Sequence, residues 1–184
     1  MVYKMKVAGV ERDLPLCPLN DELSIAAFVL FGDVELTEHC AAALLEKAPP
    51  FDVMITAESK GIPLIYEMAR LAGQNRYILA RKGVKVYMRD VIRYEVTSIT
   101  TQHKQTLYLD GNDADYMRGK RVLIVDDVVS TGESLLALEH LVSEAGGEIV
   151  GRMTVLAEGD AKDRDDLIYL EELPLFHADG TVLA

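Results

Sequence analysis

The thirteen-residue run "VLIVDDVVSTGES", Val122 to Ser134, constrains the fold more than any other stretch of this chain. Four apolar residues lead into two neighbouring acids, Asp126 and Asp127, and then through two valines into Ser130, Thr131 and Gly132. An amphipathic segment follows at once: Leu135, Leu138, Leu141, Val142 and Ala145 fall on one helical face, and Gly146 ends it. A buried strand, a tight turn and a helix in this order are the opening of a βαβ unit. Such units build an α/β fold, a mainly parallel twisted sheet with helices on both faces, whose ligands bind beyond the carboxyl ends of the strands.

The remaining segments repeat the alternation. "TEHCAAALLEKA" reads as a helix with Thr37 as its N-cap and Glu38 in its first turn. "PPFDVMITAES" has the pattern of a buried strand, and "GIPLIYEMARLAG" that of a helix with Pro63 in its first turn and Gly73 at its stop. "RYILARKGVKVYM" reads as a strand entering a basic turn, "VTSITTQHKQTLYLD" as a mobile loop leading into a strand, and "EIVGRMTVLAEG" as a further strand. The first thirty-odd residues are expected to be irregular, because Pro15 and Pro18 interrupt any long element. The polar ends "AESKG", "ARKGVK" and "DDVVSTGES" each follow an apolar strand, so they should meet on one edge of the sheet.

Composition sets limits. A chain of 184 residues, 49% of them hydrophobic, suits one domain with a sizeable core. A formal net charge of −11 argues against nucleic-acid binding by the whole surface. Against that background, Arg76, Arg81, Lys82, Lys85 and Arg89 are clustered with Asp90 as the one acid between Arg70 and Arg93. Such a run steers a polyanion, or is simply a solvated charged turn. Cys17 and Cys40 have neither metal nor redox spacing and read as free thiols of a reducing cytoplasm. The N-terminus is too polar for a signal peptide, and no apolar run approaches the ~18 residues of a membrane span.

The central motif has chemistry as well as shape. A helix N-terminus presents unpaired backbone N–H groups and the positive end of the helix dipole, where a phosphate fits. Ser130, Thr131 and Ser134 add hydroxyl donors, and Gly132 allows close approach or a positive φ. Two adjacent acids at a strand end are costly unless they meet hydroxyl donors, a cation, or both. A ribose 5-phosphate satisfies the whole set. An ordinary strand end followed by a capped turn is the plainer alternative. The run is neither a P-loop nor a dinucleotide-binding fingerprint, because it has no Gly-Lys-Ser/Thr and no G-x-G-x-x-G.

"VLIVDDVVSTGES" resembles the phosphoribosyl pyrophosphate (PRPP) motif of type I phosphoribosyltransferases. The resemblance implies transfer of ribose 5-phosphate from PRPP to a base, with Asp126 and Asp127 as the catalytic carboxylates. It also implies Mg²⁺ near both acids, held through water, and Ser130, Thr131, Gly132, Glu133 and Ser134 around the phosphate. Glu133 is a departure that adds an anion there. "AESKGIP" resembles the family's pyrophosphate loop, which implies that Ser59, Lys60 and Gly61 face pyrophosphate and that a cis peptide joins Ser59 to Lys60. "ARKGVK" is similar to the basic run of adenine phosphoribosyltransferases, which adds Arg81, Lys82 and Lys85 as pyrophosphate contacts.

The position of "YEVTSITTQHKQTLYLD" is that of the family's flexible catalytic loop, but the Tyr-x-x-Glu-Tyr of adenine enzymes is missing, since Tyr94 and Glu95 are wrongly spaced. "SITTQHKQ" looks more like the xanthine branch, and His103 is a candidate proton-transfer group or a solvated loop histidine. "VLAEGDAKDRDDLIYLEELPLF" resembles the tail of the adenine/xanthine branch, with Asp163 to Leu167 where Gly-Arg is usual, and lacks the lysine and aromatic arrangement of hypoxanthine-guanine enzymes. By analogy, about 1–34 and 159–184 form a hood over a core of about 35–158, with Arg12 and Asn20 as base-side candidates. The resemblance implies a cytoplasmic, homodimeric purine salvage enzyme making AMP or another nucleoside monophosphate, without nucleic-acid or membrane partners. Adenine is the first base expected and xanthine the second; a non-catalytic PRPP-binding regulator is the alternative from another class.

Overall fold

The computed structural model describes residues 1–97 and 104–183. The chain opens with three antiparallel strands, β1 (Val2–Val7), β2 (Val10–Pro18) and β3 (Leu23–Ala26), where irregular structure was expected. The two-residue turn between β1 and β2 has positive φ at both Ala8 (50°) and Gly9 (83°), the backbone that matches the twist of a hairpin. The prolines are tolerated because of where they fall. Pro15 lies opposite Val2, the first residue of β1, and its carbonyl still accepts the Ala27 N–H at 2.8 Å, while Pro18 is the last residue of β2.

Helix α1 (Val34–Lys47) begins three residues before Thr37. Asp33 is its cap, accepting the Leu36 N–H at 3.1 Å, and the Thr37 hydroxyl lies one turn in, donating to the Asp33 carbonyl at 2.7 Å. Strand β4 (Val53–Ala57), helix α2 (Ile62–Leu71) and the short strand β5 (Ile78–Ala80) follow, with Gly73 at φ 68° beyond α2. Strands β6 (Ile92–Thr97) and β7 (Lys104–Leu109) pair as an antiparallel ribbon. A short helix not anticipated from the sequence, α3 (Gly111–Met117), is capped by Asp110, which accepts the Asn112 N–H at 3.0 Å.

The remaining elements are β8 (Arg121–Val129), α4 (Glu133–Ala145), β9 (Glu148–Glu158), a 3₁₀ turn over Gly159–Asp163, β10 (Ile168–Leu173) and β11 (Phe176–His177). Strands β10, β9, β8, β4 and β5, in that order, form one parallel sheet. A second sheet, ordered β1-β2-β3-β11, joins the two ends of the chain.

Strand pleating sends alternate residues to opposite faces. On β8, Leu123 and Val125 join Leu36, Cys40 and Leu44 of α1 and Ile65 and Met68 of α2 in one core. Val122 and Ile124 join Met117 of α3 and Leu138 and Leu141 of α4 in the other. Each such fully buried aliphatic side chain contributes about 1.5–3 kcal/mol. The buried residues Met5, Val7, Val10 and Leu14 of the terminal sheet merge with the first core. Covered on both sides, the parallel sheet leaves the carboxyl ends of its strands for a ligand.

Cys17 is exposed, whereas Cys40 is fully buried on α1 with its thiol pKa raised by that burial to about 12. A thiol reagent should therefore titrate one sulfhydryl per native chain within minutes and two in denaturant. Two fast thiols in the native protein would mean that α1 is not packed as described.

Candidate active site

Asp126 and Asp127 lie inside β8, which runs on to Val129, rather than at its end as the sequence suggested. The parallel ladder explains this: Asp126 is in register with Thr154, Val128 with Leu156 and Val129 with Ala157 of β9. Both acids are consequently buried, at 9% and 3% exposure. Loss of water, and then the neighbouring Asp127 charge, push the Asp126 carboxyl well above the usual carboxylate range. Asp126 Oδ1 accepts the Asp127 N–H at 2.9 Å. Asp127 Oδ2 is buried and meets Lys60 Nζ at 3.5 Å, but receives no hydrogen bond among the described residues. A buried carboxylate oxygen in that state calls for a donor such as an ordered water or a ligand hydroxyl.

Lys60 comes from the turn between β4 and α2. The cis peptide of this turn joins Glu58 to Ser59, one bond earlier than expected. Gly61 serves close approach rather than unusual dihedrals, since its φ is −73°. A Cβ there would sit 2.5 Å from Thr56 Oγ1 and 3.4 Å from Asp126 Oδ1, so the turn lies directly on the acid-bearing strands.

The basic turn after β5 is tied to the same place by Glu58. Its Oε2 accepts the Lys82 N–H at 2.9 Å and its Oε1 lies 3.3 Å from Arg81 Nη2. The Lys82 amide first, together with the charges of Arg81 and Lys85, holds the Glu58 carboxyl below its ordinary pKa. Arg81 also donates to the Tyr87 hydroxyl at 3.1 Å. A cleft of about 390 Å³ lies between these pieces, lined by Glu58, Ser59, Lys60, Lys82, Asp126, Asp127 and Ser134 among others. Arg81 and Lys85 are not among its walls.

The turn before α4 forms an adjoining hollow of about 150 Å³, lined by Val128 to Leu135 and by Asp126. Gly132 takes φ 80° at the start of α4, with no side chain capping the helix, so the first-turn N–H groups have no side-chain acceptor from that position. Glu133 is half-buried in the first turn. The two hollows share Asp126, Val128 and Ser134, so acids and turn belong to one continuous surface.

Not every expected residue lies in this cleft. Arg12 stands on β2, donating to Asp33 Oδ2 and Glu35 Oε2 at 2.7 Å each, where it braces the start of α1. The Asn20 side chain accepts the N–H groups of Glu22 and Leu23, both at 2.9 Å, and shapes the turn between β2 and β3. His103 lies outside the described residues. Conversely, sequence reasoning gave no role to Glu58 or to Glu158. Glu158 ends β9, 8% exposed, with its carboxyl pKa raised by burial against the opposing effects of a Ser130 hydrogen bond and the Lys60 charge. An apolar strand closing on a single acid, "VLAE", was the available signal, the same pattern as in β8.

A parallel sheet with a polar cleft beyond its carboxyl ends, acids on one wall and a helix N-terminus beside them, defines a doubly wound α/β ligand-binding protein. Residues 36–179 match the phosphoribosyl transferase domain, and the chain belongs to that family. It is 34% identical over 111 residues to a hypoxanthine/guanine phosphoribosyltransferase of Methanotorris igneus, covering 60% of this chain and 56% of that one. It therefore spans little more than half the length of that relative. Identity to an adenine phosphoribosyltransferase of Acetivibrio thermocellus is 27% over 146 residues, 76% of this chain and 80% of the other. The crystal structure of an adenine phosphoribosyltransferase from Thermoanaerobacter pseudethanolicus superposes with a TM-score of 0.72 at 20% identity, covering 86% of this chain and 95% of that one.

The raised pKa of Asp126 has a thermodynamic sign. A carboxyl whose pKa the fold raises contributes stability that is fully present below the unfolded pKa and is lost as pH rises through the folded value. Asp126→Asn should therefore raise Tm at pH 7 by about 2–4 °C, which at this chain length is about 1 kcal/mol. The gain should vanish toward pH 4. A Tm that is unchanged or lower at pH 7 would contradict the burial of that charge.

Proposed function

We propose that this protein transfers ribose 5-phosphate from PRPP to a purine base and releases pyrophosphate. The observation that carries the reading is Asp127 Oδ2, a buried acceptor without a hydrogen bond among the described residues, in the same cleft as Lys60 and Lys82 and next to the α4 turn. A ribose 2- or 3-hydroxyl is the donor it awaits. The 5-phosphate then docks on the Ser130–Ser134 turn, using the amides and dipole at the start of α4. The pyrophosphate faces Ser59, Lys60, Gly61 and Lys82, with Arg81 and Lys85 adding positive charge nearby.

In the reaction a base nitrogen forms the bond to C1 and the C1–oxygen bond breaks; the leaving electron pair goes to pyrophosphate, and the base's N–H proton is released to water. Positive charge grows on the ribose ring between those events. Asp126 and Asp127 stabilise it electrostatically, so no nucleophilic side chain is required. Among the described residues no three or more His, Cys, Asp or Glu side chains form a protein-only metal cage. Asp126 and Asp127 would instead hold a Mg²⁺ ion through water. Such an ion, when bound, neutralises the pyrophosphate.

Adenine, giving AMP, is the first base. It is supported by the longer match to the A. thermocellus adenine enzyme. A 6-oxopurine is the second reading, favoured by the higher identity to the Methanotorris protein. The terminal sheet serves as the hood, from about 1–34 and 159–184. A homodimer working in a reducing cytoplasm completes the reading; no helix among the described residues is long and apolar enough to cross a membrane.

The test is pyrophosphate release from PRPP and Mg²⁺ with adenine, hypoxanthine, guanine and xanthine in turn. Release with adenine is expected, and Asp127→Asn should lower kcat/KM at least tenfold while Tm stays within a few degrees. PRPP binding without release from any base would mark a regulatory protein, and an unchanged rate in Asp127→Asn would overturn the role given to that acid.

A further inference from the structure

Residues 122–135, which carry the proposed phosphate turn, contain three acids, Asp126, Asp127 and Glu133, and no lysine or arginine. A phosphate dianion docked there has backbone amides and hydroxyls for partners but no cation from its own segment. The fold brings one from elsewhere. The chain leaves β9, passes through the 3₁₀ turn and places Arg164 against the start of α4: a Cβ built on Gly132 would stand 3.1 Å from Arg164 Nη1. The other edge of the guanidinium is occupied. Nε donates to Asp166 Oδ1 and Nη2 to Asp166 Oδ2, both at 3.0 Å, and Nη2 lies 3.9 Å from Glu139 Oε1.

Arg152 completes the arrangement, donating to Glu139 Oε1 at 2.5 Å and lying 3.4 Å from Asp166 Oδ2. Two arginines and two acids from β9, α4 and the turn before β10 thus fix the plane of the Arg164 guanidinium. The edge left over, Nη1, is the one against Gly132, and it makes no hydrogen bond among the described residues. The side chain keeps 35% of its surface exposed, so a ligand can reach it.

We propose that Arg164 is a phosphate-binding residue, its Nη1 closing the α4 turn over the 5-phosphate of PRPP and of the nucleotide product, with Asp166 and Glu139 as its positioning residues. The assignment rests on the reading of Ser130–Ser134 as the phosphate site. It supplies the cation that offsets Glu133 and separates the two anion sites by source: Lys60 and Lys82 serve pyrophosphate, and Arg164 serves the ester phosphate. A planar guanidinium held on one edge by a carboxylate still presents donors on the other, which a lysine ammonium does not do.

The experiment is calorimetric binding of ribose 5-phosphate and, separately, of pyrophosphate to the wild-type protein, Arg164→Gln and Arg164→Lys. In Arg164→Gln, Arg152 remains to pair with Glu139 and Asp166, and melting curves check that the fold is kept. Arg164→Gln should weaken ribose 5-phosphate at least tenfold and leave pyrophosphate within twofold. Arg164→Lys should fall between, because an ammonium drawn to Asp166 leaves the turn. Wild-type affinity for ribose 5-phosphate in either variant, or equal losses for both ligands, would overturn the assignment. A wild-type protein that binds neither ligand would sink the phosphoribosyl reading itself.

Discussion

Two carboxylates on consecutive residues of a buried strand lose their hydration and repel each other, and the cleft is organised around that cost. A pair of this kind persists when something compensates it. Part of the compensation is internal: the Asp127 amide bonds to Asp126, and Lys60 approaches Asp127 at 3.5 Å. Among the described residues the rest is missing, because Asp127 Oδ2 receives no hydrogen bond there. Asp127 lies on the wall of the cleft that Lys60 and Lys82 also line.

Parallel strands make the other contributions arrive together. In such a sheet every carboxyl end points the same way, so β4, β5 and β8 deliver Lys60, Lys82 and the acids to one edge although about seventy residues separate the first from the last. The helix after β8 necessarily begins at that edge too, with its amides toward the cleft. Gly61 and Gly132 are the points at which backbone must come close or turn left-handed for this to work. Glu58 then links two of the strand ends, holding the Lys82 amide and Arg81 in place.

Where local patterning and tertiary structure agree, the sequence was legible. The β8–α4 run, the Gly146 stop, Pro63 in the first turn of α2 and the meeting of three strand ends could all be read, because each follows from apolar periodicity or from a residue with one dominant backbone habit. Reading failed where distant partners decide. Asp33 displaced Thr37 as the cap of α1 because it also receives Arg12 from β2. The first three strands survive two prolines only because neither needs to donate where it sits. Helix α3 was short enough to hide behind its polar residues, although Asp110 with Ala114 and Met117 was a usable signal. Arg164 reaches Gly132 across thirty-two positions of sequence, through a 3₁₀ turn and a charge network that no local pattern encodes.

The central claim is that one sugar phosphate spans both hollows, its hydroxyls on the aspartates and its phosphate on the α4 turn. A crystal structure with AMP or ribose 5-phosphate bound tests it most directly. The account requires a ribose hydroxyl within hydrogen-bond distance of Asp127 Oδ2 and phosphate oxygens on the amides of Ser130–Ser134. Ligand bound elsewhere, or that oxygen paired with the protein instead, would contradict it.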